Sequence, residues 1–311
     1  YVMVVVTVLL LTELKHTFTE FAQRMKNDEM ITLAKFLAIS GIILPMLPHK
    51  NLIPDINLTP YSIWLATVVV SGISYLSYLL KRYVFHESGV LVSGIIGGLY
   101  SSTATISVLA RKSRKASAQE ANEYVAAMLL AVSMMFLRFM ILILIFSREI
   151  FMSIYPYLLI MSVVAAVVAW FIHSRQRRSK DLSADSEEED SSNPLEFKVA
   201  LIFATLFVIF TVLTHYTLVY AGTGGLNLLS FVSGLSDITP FILNLLQNTG
   251  SVAVLIVVAC SMQAIISNIL VNMFYALFFA GKGSKLRPWI LGGFGTVIGV
   301  NLVLLLFFYF I

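Results

Sequence analysis

One acidic side chain, Asp237, lies within a long apolar region of the sequence, in the segment SGLSDITP (233–240). A carboxylate inside a membrane is energetically costly, so its presence there predicts a functional role. Carboxylate, hydroxyl and carbonyl oxygens suit a hard cation such as Mg²⁺, or a proton, which makes Asp237 a candidate metal ligand and, with Thr239, a candidate substrate- or ion-binding residue. Asp237 could instead cap a helix that begins near Pro240, and the two roles are compatible.

A cluster of hydroxyl side chains in the segment GGLYSSTAT (97–105) forms a second candidate site. Serine and threonine hydroxyls in a membrane segment could line the path of an ion or a polar solute. They could also serve only for packing, because small residues let helices approach closely. The residues concerned are Gly98, Ser101, Ser102, Thr103 and Thr105.

A basic side chain, Arg138, lies in the middle of the apolar run SMMFLRFMILILIF (133–146), too deep for its guanidinium to reach the membrane surface. We expect it to pair with Asp237, either as a structural ion pair or as one that a substrate or proton breaks during a transport cycle. Asn268 and Asn272 are four residues apart and therefore share one helical face. They could form interhelical hydrogen bonds or support the same site.

Membrane-spanning helices must position these residues. Of the 311 residues, 58% are hydrophobic and 12% are charged, whereas soluble domains are about 25% charged. The mean hydropathy is +0.87, and the long continuous apolar runs predict helices and not barrel strands. We therefore predict an all-α, polytopic membrane protein. The predicted spans are 1–12, 30–48, 60–80, 120–146, 151–173, 195–221, 250–280 and 286–311, with two further apolar segments, 89–110 and 224–247, that glycine and small polar residues interrupt.

The segment 174–193 is charged, rich in serine and without apolar periodicity, which predicts a disordered linker. It separates two halves that share a motif. GGLYSSTATISVLA and SGLSDITPFILNLL match at a constant offset of 136 residues, so that Gly98 corresponds to Gly234. A weaker match pairs AVSM (131–134) with ACSM (259–262) at an offset of 128. These matches predict an internal repeat.

Four regions follow from this division. The N-terminal region contains an amphipathic helix and, at its start, a span so short that we expect the chain to be a fragment. The predicted regions are the N-terminal region 1–58, the first repeat 59–173, the linker 174–193 and the second repeat 194–311.

The basic clusters bear on the orientation of the repeats, because Lys and Arg mark the cytoplasmic side. If 89–110 enters the membrane and returns, Lys81 and Arg82 lie on the same side as Arg111 and Lys112. Each repeat then has three spans and one re-entrant segment, and the second repeat is inverted. If the segment crosses fully, there are eight crossings and the repeats are parallel.

Inverted repeats with interrupted helices are typical of secondary transporters, whose substrate sites lie where the helices break. We expect the segments 97–105 and 234–239 to face each other across a central cavity. A cavity that reaches the middle of the membrane would favour transport, and a fully packed bundle would favour a scaffold.

Five segments carry a resemblance to a known family: KFLAISGIILPMLP, NLTPYSIWLATVVVSGISYLSYLLKR, GIIGGLYSSTATISVLARKSRK, SGLSDITPFILNLL and AIISNILVNMFYALFFAGK. Together they resemble the C-terminal membrane domain of MgtC/SapB-family proteins. The resemblance implies a bacterial or archaeal inner-membrane protein that is linked by name to magnesium. The family's second motif commonly has two acidic positions, of which this chain keeps Asp237, and Asn272 stands where the family often has a lysine.

The remaining sequence signals exclude other classes. The metalloprotease, hydrolase and phosphate-binding motifs are absent, and the basic residues lie between apolar runs and not in a nucleic-acid-binding patch. We predict no enzyme activity, no cofactor and no nucleic-acid partner. The predicted function is a secondary transporter or ion-permeation protein for Mg²⁺, another cation or a polar solute. The alternative is a membrane regulator or scaffold that transports nothing, and assembly into a homo-oligomer stays open.

Overall fold

The fold is given by a computed structural model. It describes residues 12, 15, 27–53, 56, 58–85, 89–114, 121–175, 197–247, 253–281 and 286–310. The predicted span 1–12, the amphipathic helix and the linker 174–193 lie almost wholly outside these residues.

Every regular element in the described ranges is a helix, as predicted. The bounds are α1 Asn27–Met46, α2 Pro60–Leu79 with a π-helical turn Leu80–Val84, α3 Val90–Lys112, α4 Ala121–Phe146, α5 Arg148–Ser174, α6 Phe197–Ser233, α7 Ile238–Gln247, α8 Val254–Ala280 and α9 Arg287–Phe310. Within the described chain, eight of these helices could cross a membrane by length and composition, with α3 and α6 counted as continuous, and α7 is a shorter apolar helix. The chain is therefore a multi-pass membrane protein.

The chain forms two compact units, Tyr1–Leu47 and Pro48–Ile311. The first contains α1, and the second contains α2 to α9. Helix α2 begins with a capping box, in which the Ser62 amide donates to the Thr59 hydroxyl at 3.0 Å and the Thr59 amide donates to the Ser62 hydroxyl at 3.1 Å. Pro60 occupies the first turn, where it removes no helical hydrogen bond.

Helix α3 reverses its direction at Ser101. The backbone there is extended, with φ −158° and ψ 107°. A Cβ atom added to Gly97 would lie 2.5 Å from the Thr105 hydroxyl oxygen. Residues eight positions apart in a continuous helix are separated by about 12 Å along its axis, so the chain must fold back between them. Helix α3 is therefore a hairpin with arms 90–100 and 102–112, and the interruption that we predicted in 89–110 is at Ser101.

Helix α6 reverses in the same way at Gly222, whose φ of 59° lies in the left-handed region that favours glycine. A Cβ atom added to Gly225 would lie 2.8 Å from the Thr217 methyl carbon, eight residues away. The part 223–233 therefore returns along the part 197–221. A second break at 234–237 separates it from α7, so the predicted segment 224–247 is also interrupted.

The first arm of α3 packs against α4 with both running in the same direction. Cβ atoms added to Gly94 and Gly98 would lie 2.4 Å from the Ala127 carbonyl oxygen and 2.5 Å from the Ala131 Cα. The residue number of the contact partner increases as that of the glycine increases, so the two helices run parallel. Glycine is required at both positions because the backbones touch.

The part 223–233 of α6 packs against α8 in the same parallel manner. Asn227 accepts a hydrogen bond from the Cys260 thiol at 3.5 Å, and a Cβ atom added to Gly234 would lie 2.4 Å from the Ser267 Cβ. In these pairs, as in those between α3 and α4, the partner lies 33 residues further along the chain.

Helix α7 runs parallel to the first part of α6. The Phe241 and Phe210 ring centroids are 5.7 Å apart, and the Asn244 side-chain amide donates to the Thr214 hydroxyl at 2.8 Å. The residue numbers of the paired residues again increase together along both helices, as expected for parallel packing. This contact anchors α7 near the centre of the second unit, where it is almost entirely buried.

Helices α5 and α9 run antiparallel. The Tyr157 hydroxyl, early in α5, donates to the Asn301 side-chain oxygen, late in α9. A Cβ atom added to Gly293, early in α9, would lie 3.1 Å from the Ile172 methyl carbon, late in α5.

Candidate functional site

The two helix breaks open into one cavity of about 360 Å³ in the second unit, between α2, α3, α4, α6, α7 and α8. Its polar lining comes from both breaks and from the helices around them. These residues are Ser71, Ser74, Tyr100, Ser101, Ser102, Thr103, Arg138, Ser236, Asp237, Thr239, Asn268 and Tyr275. Residues of the two motifs that we expected to face each other thus share one cavity.

The first break is capped by Ser101. Its hydroxyl accepts a hydrogen bond from the Ala104 amide at 3.3 Å, which is the geometry of a residue that begins the second arm of α3. The break also frees the Tyr100 carbonyl, which accepts a hydrogen bond from Arg138 Nη1 at 2.9 Å. The start of the second arm therefore faces the cavity, with Ser102 and Thr103 in its first turn.

The second break is capped by Asp237, whose carboxylate accepts a hydrogen bond from the Thr239 amide at 2.9 Å. The capping role that the sequence allowed is thus present, and the same residue lines the cavity. The Asn268 side-chain amide donates to the freed carbonyls of Gly234 and Ser236, at 3.3 and 3.4 Å. Asn268 holds this break in place from α8.

The two breaks have corresponding parts at the predicted offset of 136 residues. Ser101 and Asp237 both cap a half-helix, and the residues before them, Tyr100 and Ser236, both give a carbonyl to a side chain of the neighbouring parallel helix. The donor is an arginine in the first case and an asparagine in the second, so the equivalence is one of position and not of charge.

The weaker sequence match, at an offset of 128, pairs Ala131 with Ala259, whereas the packing contacts pair Ala131 with another residue. Ala131 packs on Gly98, and Ser267 occupies the same place against Gly234. The structural counterpart of Ala131 is therefore Ser267, again at 136 residues. The similarity of AVSM to ACSM reflects only that both helices need small residues at close contacts.

Arg138 and Asp237 form no direct ion pair, in contrast to our expectation. Among the described residues, the guanidinium donates to the Tyr100 carbonyl, and its buried Nε has no hydrogen-bond partner. The Asp237 carboxylate lines the same cavity as Arg138 without pairing with it. The Tyr100 carbonyl, freed by the break at Ser101, is the partner of Arg138 in place of the expected Asp237 carboxylate.

Four buried residues that line the cavity have a hydroxyl without a hydrogen-bond partner among the described residues. They are Ser71, Ser74, Ser102 and Thr239, whose exposed fractions are 6%, 8%, 8% and 3%. Buried hydroxyls in proteins are almost always hydrogen-bonded. These four are therefore available to water or to a solute in the cavity.

Three predicted site residues lie outside the cavity lining. Thr105 packs on Gly97, Gly234 packs on Ser267, and Asn272 donates to the Asn268 side-chain oxygen at 3.1 Å. The shared face predicted for Asn268 and Asn272 is confirmed, and Asn272 supports Asn268 through this hydrogen bond.

Sequence reasoning missed five polar lining residues, which are Ser71, Ser74, Tyr100, Ser236 and Tyr275. Ser71 and Ser74 are three residues apart on one face of α2, which is a usable signal. The signal is weak, because serines in membrane helices are so often packing residues.

A metal site built from protein side chains receives no support from the described residues, which contain no cluster of three or more His, Cys, Asp or Glu side chains that could hold a metal ion. Of the carboxylates that the structure describes, Asp237 alone lines the cavity. A cation here would rely on this one carboxylate and on hydroxyl or carbonyl oxygens.

Comparisons with known proteins bear on the family. The profile of a family described as "Domain of unknown function (DUF4010)" matches residues 68–280, which is more than half of the chain and includes both breaks. An "Uncharacterized protein" of Aquifex aeolicus (strain VF5) is 26% identical over 220 residues, which cover 70% of this chain and 94% of the relative. No solved structure matches the chain. These matches do not test the resemblance to MgtC/SapB-family proteins.

Proposed function

The chain belongs to the DUF4010 family, and we propose that it is a secondary transporter whose substrate site is the cavity between the two helix breaks. The observation that carries the proposal is the meeting of both breaks at one cavity lined by unpartnered hydroxyls and by two opposite charges. Irregular backbone within a membrane is tolerated where it lines a water-filled cavity. Broken helices at the midplane hold the substrate in many secondary transporters.

The proposed architecture is a pair of inverted repeats, α2–α5 and α6–α9, within the predicted bounds 59–173 and 194–311. The equal spacing of contacts at the two breaks supports the repeat. The offset of 136 makes α9 the counterpart of α5, and these two helices run antiparallel. Counterparts that run in opposite directions are what inversion requires.

A second contact supports the inversion. Gln247, at the end of α7, donates to the Ser62 carbonyl at the start of α2, at 3.4 Å. Since α7 runs parallel to the first part of α6, the start of α2 lies near the end of that part, at Gly222. Helix α2 and its counterpart 197–221 are therefore antiparallel.

In this topology the α3 hairpin is re-entrant, so Lys81 and Arg82 lie on the same, cytoplasmic side as Arg111 and Lys112. We assign the protein to the inner membrane of a prokaryote, in line with the resemblance to MgtC/SapB-family proteins. Rocking of one repeat against the other would open the cavity to each side in turn. A cation or a proton, Mg²⁺ included, would meet Asp237 there.

The alternative function, a scaffold or regulator, would require helices that only pack together. The cavity and its unpartnered hydroxyls weigh against it, because a packed bundle would fill that space or satisfy those groups.

Flux measured in proteoliposomes tests the proposal. The purified protein would be reconstituted and assayed with a panel of Mg²⁺, Na⁺, K⁺, protons and small polar organic solutes. We expect flux of at least one of these, and at least tenfold less flux in Asp237→Asn. Glu149→Gln is the matched control, because Glu149 is an exposed acid at the start of α5 and does not line the cavity. Absence of flux for the whole panel, or equal flux in Asp237→Asn, would contradict the proposal.

A further inference from the structure

We infer that the cavity takes a small organic acid and binds its carboxylate where two half-helix N-termini meet, an inference that rests on the proposed function and specifies its substrate class.

The first observation is the convergence of helix N-termini. The second arm of α3 begins after Ser101, and α7 begins after Asp237. The first residues of both, Ser102 and Thr103 in one and Thr239 in the other, line the same cavity. A helix N-terminus carries roughly half a positive charge and has amides that no carbonyl of the helix satisfies. The Asp237 carboxylate already caps the α7 end, so the end that begins at Ser102 is the one left to attract an anion.

The side-chain charges do not remove the preference of the cavity for an anion. Arg138 and Asp237 both line the cavity and offset each other. The two helix ends then contribute roughly one positive charge in total. Among the described residues, the Arg138 guanidinium makes one hydrogen bond, to the Tyr100 carbonyl, and it lines the cavity, so its remaining terminal N–H groups can donate to an anion.

The unpartnered hydroxyls are an independent sign of a ligand. Ser102 and Thr239 stand at the two helix ends, and Ser71 and Ser74 line the cavity from α2. A hydroxyl donates one hydrogen bond, and a carboxylate accepts several. Hydroxyls from three elements can therefore surround a carboxylate that the helix ends attract.

The walls of the cavity indicate an organic solute and not a hydrated inorganic ion. Val70, Phe139, Phe203, Leu206 and Val271 contribute apolar surface. Small-molecule sites are typically apolar with a few directed polar groups. The volume of about 360 Å³ would hold about a dozen waters in bulk liquid, which is room for a compact organic acid.

Ligand-induced stabilisation of the purified protein tests the inference. Thermal unfolding in detergent would be followed by tryptophan fluorescence with acetate, lactate, succinate, alanine and lysine, with the carboxamides of lactate and alanine, in which a neutral amide replaces the carboxylate, and with Mg²⁺ and Na⁺ salts. We expect at least one carboxylate to raise the unfolding temperature by several degrees in a concentration-dependent way, and the matching carboxamide to have no effect. The amino acids and the simple acids separate a zwitterion, whose ammonium would meet Asp237, from a plain carboxylate.

Variants locate the binding. Ser102→Ala and Arg138→Gln should weaken the apparent affinity at least tenfold. Ser107→Ala is the matched control on the same arm of α3, because the Ser107 hydroxyl donates to the Thr103 carbonyl at 2.8 Å and does not line the cavity. An equal effect of Ser107→Ala and Ser102→Ala would overturn the assignment to this cavity.

The outcomes separate this inference from the proposed function. Absence of a shift with every acid, equal shifts with the neutral amides, or shifts with cations alone would overturn the carboxylate site. Cation flux without acid binding would overturn it and leave the transporter standing. Acid binding without flux would support the carboxylate site and count against transport.

Discussion

Arg138 and Asp237 bring opposite charges to one cavity without contact. Each has a neutral backbone partner, the Tyr100 carbonyl for the arginine and the Thr239 amide for the aspartate. A charge at this depth costs from a few to more than ten kcal/mol. Since the two charges form no ion pair with each other, we interpret both as groups that interact with a solute.

The first prediction concerns the cost of these charges. The double variant Arg138→Met with Asp237→Asn should unfold at a temperature no more than about 2 °C below wild type, because asparagine can still accept from the Thr239 amide and replacing a desolvated charge such as Arg138 by a neutral group is often neutral or stabilising. The same variant should lose flux and acid binding. Thermal unfolding in detergent measures the first effect. A fall of more than about 5 °C would show that the two charges are structural.

At the scale of the helices, glycines decide how closely the broken segments approach their neighbours. Gly98 lies against the Ala131 backbone, and Gly234 lies against Ser267 and the Ala264 carbonyl. These contacts fix each break at the same height on its parallel neighbour. The caps at Ser101 and Asp237 then aim the half-helices that follow at the cavity.

The second prediction follows from this packing. Gly98→Ala and Gly234→Ala should each destabilise the protein by about 1–3 kcal/mol, because the new Cβ would lie within 2.5 Å of its neighbour. Gly72→Ala in α2 has open space around it and should be neutral, or stabilising by up to about 1 kcal/mol. Unfolding by denaturant in detergent measures the three. Equal effects at all three positions would contradict the close approach.

Hydropathy predicted most helix bounds, because it reports where a segment can cross lipid. The span 60–80 became α2, Pro60–Leu79, and 286–311 became α9, Arg287–Phe310. Glycine and hydroxyl composition also predicted which segments are interrupted. The partner of Arg138 could not be predicted, since its acceptor is a carbonyl that exists only once Ser101 has left the helix.

Across the whole molecule, the second unit combines two hairpin-bearing halves around a single polar centre. The breaks share the geometry of their caps, while the side chains that hold them differ in charge, Arg138 on one side and Asn268 on the other. In the inverted arrangement that we propose, the two halves would have two alternative ways to pack around the cavity, which is the basis of alternating access.

Labelling of the cavity from each side of the membrane tests this account most directly. Ser102→Cys would be made in a Cys260→Ala background, because Cys260 is the only native cysteine. A membrane-impermeant thiol reagent would be added to right-side-out and to inside-out vesicles. Ser133→Cys is the control, since Ser133 is buried and donates to the Ser162 carbonyl at 2.8 Å.

We predict that Ser102→Cys reacts from both sides, that a binding carboxylate protects it, and that Ser133→Cys does not react. A transporter exposes its central cavity to each side in turn, which is why reaction from both sides is expected. Failure of Ser102→Cys to react from either side, in protein that folds normally, would show a closed bundle and contradict the central claim.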